Sequence, residues 1–295
     1  MPPCVADRIT IASGQLTAAI DPLSAELSSL LDAHGRELMT DADPAFWTGR
    51  APLLFPVVGQ PAGDVIRVDG REYPMKKHGF ARRLPFAMVA AEPARAVFAL
   101  TDDEATRAQY PFAFRLEVAF SVEGATLRTQ VTIVNTGDVP MPASFGFHPA
   151  FAWPLPGGGA REDHRITFGA DEPGALRVLA ADGTVAAGER ASPLDGRELR
   201  LHDDLFAHDA LIWDPMRSDR VTYGADTGQR LEVSFPNTRK LGIWTKPGAR
   251  FVCIEPWHGL ADPQGYAGEF RGKPGVFTVP PGQSKRVGMS VSVEG

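Results

Sequence analysis

Three short segments of the 295-residue chain combine imidazole, carboxylate and aromatic side chains in patterns suited to proton transfer. They are KKHGFARR (76–83), SFGFHPAF (144–151) and FVCIEPWHG (251–259). Glu255 closes an apolar run, and partial removal from water raises the pKa of a carboxyl group. Prolines after His148 and Glu255 bias both residues toward extended backbone. A carboxylate and an imidazole that meet in a cleft can act as general base and general acid near neutral pH.

Each segment also has a purely structural interpretation. His78 stands in a glycine-containing turn beside four cations and is compatible with a solvated turn residue. His148 is compatible with a core histidine bonded to a carbonyl, and Glu255 with a carboxylate that caps a sheet edge or pairs with an arginine. The aromatic residues Trp257 and Phe147 favour a sugar site, because sugar rings offer apolar C–H faces to aromatic rings and hydroxyl edges to polar groups.

Motifs for other chemistries are missing from the sequence. It has no phosphate-binding G-x-x-x-x-G-K-[ST] loop, no strand-linked G-x-G-x-x-G, no H-E-x-x-H and no G-x-S-x-G. The two cysteines supply neither a disulfide framework nor a zinc motif; we expect Cys4 in a tail and Cys253 buried and inert in an apolar strand. His202 and His208 lie beside several aspartates, but a solvated polar loop explains them more simply than a metal site. We therefore expect no metal and no cofactor.

Composition and charge narrow the class of protein. The formal net charge of −6 argues against a general nucleic-acid groove, which needs a basic surplus. The sequence contains no apolar run of 18 residues, so no membrane span is predicted. The N-terminal residues do not resemble a secretory signal. A reducing cytoplasm is the expected location. The 30 glycines and 26 prolines exclude a long helical bundle and favour short strands with many turns.

Strand-like segments recur along the chain and predict an all-β fold of two large antiparallel sheets packed face to face. The clearest signal covers residues 114–135, where apolar and polar residues alternate on both sides of a turn placed at Glu123-Gly124. A hairpin is predicted around Asp69-Gly70. The best helical candidate, PLSAELSSLLDA (22–33), is equally compatible with a strand.

No linker divides the chain, so we expect one β-sandwich domain over residues 1–295. The most flexible-looking stretch, PLPGGGARED (154–163), is interpreted as a loop. The sequence leaves the oligomeric state open between monomer and homodimer.

Five motifs, taken together and in order, resemble the aldose 1-epimerase (galactose mutarotase) superfamily, in its LacX-like branch. The motifs are WTGRAPLLFPVVG (47–59), HGFAR (78–82), FGFHPAF (145–151), LFAHDALIWD (205–214) and FVCIEPWHG (251–259). The resemblance implies a large β-sandwich and a cofactor-free enzyme. Its activity would be the interconversion of the α and β anomers of an aldose.

The resemblance also implies roles for individual residues. Glu255 matches the family's base at the anomeric hydroxyl, and His148 matches the acid at the ring oxygen. His78 matches a sugar-binding histidine, and Asp209 is the best match to an aspartate that holds sugar hydroxyls. These roles agree with the chemistry, since ring opening removes a proton from O1 and delivers one to O5.

The arginine position departs from the branch pattern. The branch has Gly-Arg after its L-F-P segment, whereas this chain has Gly59-Gln60. Arg82 or Arg50 is therefore expected to donate bidentate hydrogen bonds to sugar oxygens.

Two other functions stay open at this point. A hexose-6-phosphate 1-epimerase would need two or more cations converging on the phosphate, and Arg50, Lys76, Lys77, Arg82 and Arg83 lie near the expected site in sequence. A non-catalytic carbohydrate-binding protein would need aromatic residues but no acid–base pair. The presence of both Glu255 and His148 favours an enzyme with a small-molecule sugar substrate.

Overall fold

The predicted all-β fold is confirmed by a computed structural model that describes residues 8–295. The expectation for Cys4 lies outside the described residues. The strands are β1 (Ile9–Ala12), β2 (Leu16–Asp21), β3 (Glu26–Asp32), β4 (Leu53–Leu54), β5 (Val65–Val68), β6 (Arg71–Pro74), β7 (Ala87–Glu92), β8 (Arg95–Thr101), β9 (Phe114–Glu123), β10 (Thr126–Asn135), β11 (Met141–Ala143), β12 (Phe145–Phe147), β13 (Ala150–Ala152), β14 (Arg165–Phe168), β15 (Ala175–Leu179), β16 (Val185–Ala191), β17 (Glu198–Arg200), β18 (Leu211–Trp213), β19 (Arg220–Gly224), β20 (Arg230–Ser234), β21 (Lys240–Trp244), β22 (Phe251–His258), β23 (Phe277–Val279) and β24 (Ser284–Glu294).

Helix is confined to short pieces in the described part of the chain. The α-helix α1 (Glu104–Arg107) is capped at its N-terminus by Asp103, whose carboxylate accepts a hydrogen bond from the Thr106 N–H. Single 3₁₀ turns occupy Ala62–Asp64, Ala81–Arg83, Arg161–Asp163, Asp203–Phe206 and Phe270–Gly272. Within residues 8–295, no helix is long and apolar enough to cross a membrane.

Two large antiparallel sheets dominate the architecture. A nine-stranded sheet runs in the order β17-β14-β19-β20-β24-β10-β9-β8-β7. An eight-stranded sheet runs β16-β15-β18-β21-β22-β12-β4, with β13 also paired to β22. Smaller sheets are formed by β1-β2-β3, β5-β6 and β11-β23.

The main core lies between the large sheets and follows strand alternation. Every second residue of β9 and β10 is buried, and the apolar ones among them join one cluster with Leu241, Ile243, Val252 and Ile254 of the eight-stranded sheet. The alternation predicted for residues 114–135 is confirmed. The turn differs by one residue: Glu123 still pairs with Thr126, so the loop is Gly124-Ala125.

The other local predictions fare as follows. The ambiguous segment 22–33 contains strand β3 rather than a helix. The hairpin at Asp69-Gly70 is confirmed by the β5–β6 pairing. Residues 154–163 form a loop that ends in a single 3₁₀ turn.

Strand β22 is buried on both faces, and this determines where a site can form. Val252 and Ile254 point into the core between the sheets. Cys253 and Trp257 belong to two separate apolar clusters. Because side chains alternate along a strand, Glu255 shares a face with Cys253 and Trp257, on the side of the eight-stranded sheet away from the main core.

Candidate active site

A cavity of about 270 Å³ lies against this outer face of the eight-stranded sheet. That volume is close to the lower end for small-molecule pockets, roughly 300 Å³. Its lining brings together six of the residues expected from the sequence. They are His78, Arg82, His148, Asp209, Glu255 and Trp257.

Glu255 and His148 meet because of strand register. Gly146 pairs with Trp257 and Ala150 pairs with Cys253, so β12 and β13 follow β22 in a single register across the gap between them. His148 falls in that gap, directly opposite Glu255. The imidazole Nε2 lies 3.1 Å from the carboxylate Oε2, and both side chains are buried. Cross-strand neighbours have Cβ atoms about 5 Å apart, which leaves room for this contact.

Burial shifts the proton affinities of the pair in opposite directions. Removal from water raises the pKa of Glu255 well above its ordinary value, with further upward pressure from Asp209. Lys77, the Trp257 side chain and Arg82 act against this shift. Removal from water, together with the positive charge of Arg82, lowers the pKa of His148 to about 3. Both shifts disfavour charge on this pair.

Two polar atoms of the pair are buried without a hydrogen-bond partner among the described residues. Within residues 8–295, Glu255 Oε2 and His148 Nδ1 have no partner in hydrogen-bonding geometry. Buried polar atoms without partners are costly, so this pair is kept in the fold at an expense in stability.

A tight turn holds His78 in a single orientation. Its backbone lies in the left-handed region with φ 66°, and its N–H donates to the Gly59 carbonyl at 2.9 Å. The Gly59 N–H donates to His78 Nδ1 at 3.1 Å, so the ring proton of the neutral imidazole is on Nε2. Burial lowers the pKa of His78 well below its ordinary value, which keeps the imidazole neutral. Gly79 is required next to it, because a Cβ there would lie 2.1 Å from the Phe55 carbonyl oxygen.

Trp257 lies flat over the neighbouring strands and helps to form the cavity wall. A Cβ at Gly242 on β21 would lie 2.5 Å from its ring, and a Cβ at Gly146 on β12 would lie 2.7 Å from it. Gly146 pairs with Trp257 and Gly242 pairs with Glu255, and glycine at both positions leaves room for the indole ring. The two glycines allow a large apolar surface to lie beside Glu255.

Two further tryptophans, Trp47 and Trp244, line the cavity and were not expected from the sequence. The Trp47 ring lies 4.9 Å from the His148 ring and 5.6 Å from the Trp244 ring. Both side chains are half-buried. Trp244 ends an apolar strand, and Trp47 opens the first of the five motifs; these positions were the available signals.

Comparison with known proteins identifies the family. A profile described as aldose 1-epimerase matches residues 7–277. The chain belongs to the aldose 1-epimerase family.

Individual relatives of the family agree over almost the whole chain. The plasmid-encoded protein LacX of Lactococcus lactis subsp. lactis is 28% identical over 295 residues, which covers 97% of this chain and 99% of that protein. A galactose mutarotase related enzyme from Lactobacillus acidophilus is 30% identical with a TM-score of 0.90, and the match covers 98% of this chain and 97% of that one. A galactose mutarotase-like protein from Lactobacillus casei is 27% identical with a TM-score of 0.91, over 97% and 100% of the two chains. The resemblance read from the motifs is confirmed.

Two residues expected at the site of this family member are not there. Arg50 lies outside the cavity, because its Nη1 donates to the Thr40 carbonyl at 2.6 Å. Phe147 is buried in the main core, because its neighbours Gly146 and His148 take the cavity face of the sheet. A one-residue shift along a strand reverses the face to which a side chain points.

The cations among the described residues that line the cavity are Lys77 and Arg82. Arg82 lies in the 3₁₀ turn Ala81–Arg83 and is half-buried. Gln60, at the position where the branch has arginine, instead donates to Asp64 Oδ1 at 2.7 Å and does not line the cavity.

Asp209 stands at the exposed rim of the cavity. Its backbone is left-handed with φ 71°, and its Oδ1 accepts a hydrogen bond from the Ala210 N–H at 2.7 Å. His202 and His208 are exposed. Across residues 8–295, the one group of three potential metal ligands with converging atoms is His148, Cys253 and Glu255. Cys253 is buried, as expected, and burial raises its thiol pKa well above the ordinary value.

Proposed function

We propose that the protein is an aldose 1-epimerase that interconverts the α and β anomers of an aldose. The observation that carries the proposal is the 3.1 Å contact between Glu255 and His148 beside an aromatic-lined cavity. A carboxylate and an imidazole at this distance can exchange protons with the anomeric hydroxyl O1 and the ring oxygen O5 of one sugar. Proton transfers complete the reaction, so it requires no cofactor.

One proton moves between the members of the pair during the proposed cycle. With the ring closed, Glu255 is ionised and His148 is protonated. Glu255 takes the O1 proton while His148 gives its proton to O5, and the C1–O5 bond breaks to leave the open-chain aldehyde. The C1–C2 bond then rotates, and the reverse transfers close the ring on the other face of C1.

The electrostatics of the site match one half of this cycle. Burial favours a protonated Glu255 and a neutral His148. This is the proton arrangement of the ring-opened stage. The ion pair needed for ring opening is supported by the short distance between the two charges. Ring opening therefore returns the two side chains to the charge state that burial favours.

Sugar binding is assigned to the aromatic walls and to His78. Trp47, Trp244 and Trp257 offer apolar faces to the C–H surfaces of a pyranose. The Nε2–H of neutral His78, whose ring lies 5.8 Å from that of His148, donates a hydrogen bond to a sugar oxygen near the reacting centre. Arg82 and Asp209 bind hydroxyl groups at the rim.

A second candidate, a hexose-6-phosphate 1-epimerase, is favoured by one observation. Lys77 and Arg82 both line the cavity, and together they supply the two cations that a phosphate needs. Arg50, which the sequence also offered as a phosphate-binding cation, is excluded from this role because its guanidinium donates to the Thr40 carbonyl.

Exchange NMR on sugar anomers tests these functions directly. Free glucose, galactose and a pentose are compared with hexose 6-phosphates, and uncatalysed exchange is subtracted. We expect accelerated exchange of at least one free aldose. Acceleration restricted to phosphorylated sugars would favour the second candidate. Sugar binding without acceleration of any of them would leave a carbohydrate-binding protein.

A further inference from the structure

A cysteine stands beside the catalytic pair and has no part in the proposed reaction. Cys253 and Glu255 are two residues apart on β22, so their side chains point to the same face. The Cys253 thiol sulfur, an imidazole nitrogen of His148 and a carboxylate oxygen of Glu255 all lie within 4.8 Å of one another. All three residues are more than nine-tenths buried.

Unsatisfied atoms in this group point to a missing ligand. Glu255 Oε2 is 3.1 Å from His148 Nε2, yet it has no hydrogen-bond partner within residues 8–295. Lys77, which carries the opposite charge, also lines the cavity, but it is exposed. An acceptor oxygen, an imidazole and a thiol thus converge beside a cavity of about 270 Å³.

We propose that His148, Cys253 and Glu255 form an inhibitory binding site for Zn²⁺ or a chemically similar divalent cation. Sulfur, imidazole nitrogen and carboxylate oxygen are the ligands that Zn²⁺ takes in proteins, and three protein ligands leave a fourth position for water or another small ligand. Tetrahedral coordination with bonds of about 2.0–2.3 Å places ligand atoms roughly 3.3–3.7 Å apart. The ligand atoms, which lie within 4.8 Å of one another, would have to move by up to about 1 Å to reach this geometry.

Occupancy would block the proposed reaction. A bound cation holds the Glu255 oxygen and the His148 nitrogen that would otherwise exchange protons with the sugar. The cation is then a competitive inhibitor rather than a cofactor. This consequence rests on the proposed function, whereas cation binding itself does not. Mg²⁺, which prefers oxygen ligands, is expected to bind poorly.

The experiment uses the full chain carrying Cys4→Ala, so that Cys253 is the single thiol. Addition of Co²⁺ should produce a thiolate-to-cobalt charge-transfer band, which Zn²⁺ displaces. Cys253→Ala and Cys253→Ser, made in the same background, should lose the band. His202→Asn is the matched control, because this exposed histidine lies outside the group, and it should keep the band.

Inhibition is measured on the same proteins with Zn²⁺ alone. Loss of outer-shell partners already costs 10–100-fold in metal affinity, so loss of the thiol ligand should raise the inhibition constant at least about 10-fold. Anomer exchange without metal should persist in both Cys253 variants, and a chelator should restore exchange in the inhibited parent. Absence of the cobalt band in the parent, or its persistence in both Cys253 variants, would overturn the site. The band is read without turnover, so a protein that exchanges no sugar anomers still tests it.

Discussion

At Glu255 and His148, opposite shifts in pKa set the pH range that we expect for the proposed anomer exchange. The proposed cycle needs one proton shared by the pair. As the pH falls, the pair takes up a second proton at the lowered pKa of His148, about 3. As the pH rises, the pair loses its last proton at the raised pKa of Glu255. The pair titrates as a unit, so the two limbs of the profile give macroscopic pKa values.

The rate should therefore follow a bell-shaped pH profile with a displaced acid limb. Below the acid limb the pair holds two protons and lacks a base; above the alkaline limb it holds none and lacks an acid. Exchange NMR across pH, after subtraction of uncatalysed exchange, measures both limbs. As the pH falls through 6.5, the ordinary pKa of histidine, we expect no acid limb, because burial lowers the pKa of His148 to about 3. An acid limb at that pH would show a histidine exposed to solvent and would contradict the buried pair.

Trp244 tests the aromatic wall of the cavity. Its replacement by alanine should raise KM about tenfold, equivalent to about 1.4 kcal/mol of lost stacking, with little change in kcat. Trp244→Phe keeps an aromatic face and should recover most of the binding. Steady-state kinetics on the preferred sugar separates the two constants. A fall in kcat with unchanged KM would contradict a binding role and show that Trp244 acts in the chemical step.

At the scale of elements, the register of β12 and β13 against β22 makes the site. It places His148 opposite Glu255, and it turns Phe147 into the core. The sequence indicated the strands and, through the family resemblance, most of the site residues. Strand alternation alone could have separated Phe147 from His148, because adjacent residues point to opposite faces.

Other parts of the site depend on pairings between distant segments. The Gly59 N–H that orients His78 comes from another loop, and neither residue type nor spacing predicts that contact. The sequence did not distinguish Arg50 from Arg82 as the sugar-binding arginine. The structure does, because the Arg50 guanidinium donates to the Thr40 carbonyl. Trp47 and Trp244 meet across separate segments, which a single sequence does not specify.

Gly242 tests the packing of β21 against Trp257. In Gly242→Ala the new Cβ would lie 2.5 Å from the indole, so the ring must move. We expect weaker sugar binding and a changed tryptophan fluorescence spectrum. Gly188→Ala on β16 is the matched control, because a Cβ there meets no atom within 4 Å. Equal behaviour of the two variants in sugar titrations would rule out a steric requirement for glycine at position 242.

At the scale of the whole molecule, the active-site residues come from segments far apart in the chain. One apolar cluster extends from Ile11 to Val291 and joins both large sheets. The single domain over residues 1–295 stays a prediction, and cooperative unfolding tests it. Calorimetry should give one transition whose calorimetric and van't Hoff enthalpies agree. Two separable transitions would divide the chain into independently folding units.

In the proposed reaction, the fold places one carboxylate, that of Glu255, at O1 of the sugar. Glu255→Gln keeps the size of the side chain and removes its basicity. Sugar binding should survive, while anomer exchange should fall by ~10²-fold or more, the loss expected for a positioned base. His148→Asn should act similarly, and the double variant should lose less than the sum of the two effects, because both residues serve one ring-opening event.

Exchange NMR of sugar anomers with the wild-type and Glu255→Gln proteins, at saturating sugar, tests the central claim most directly. The wild-type protein should exchange the anomers well above the uncatalysed rate. The Glu255→Gln protein should bind the sugar with similar affinity and exchange it at least ~10²-fold more slowly. Near-normal exchange by Glu255→Gln would exclude the carboxylate as the base and contradict the proposed mechanism.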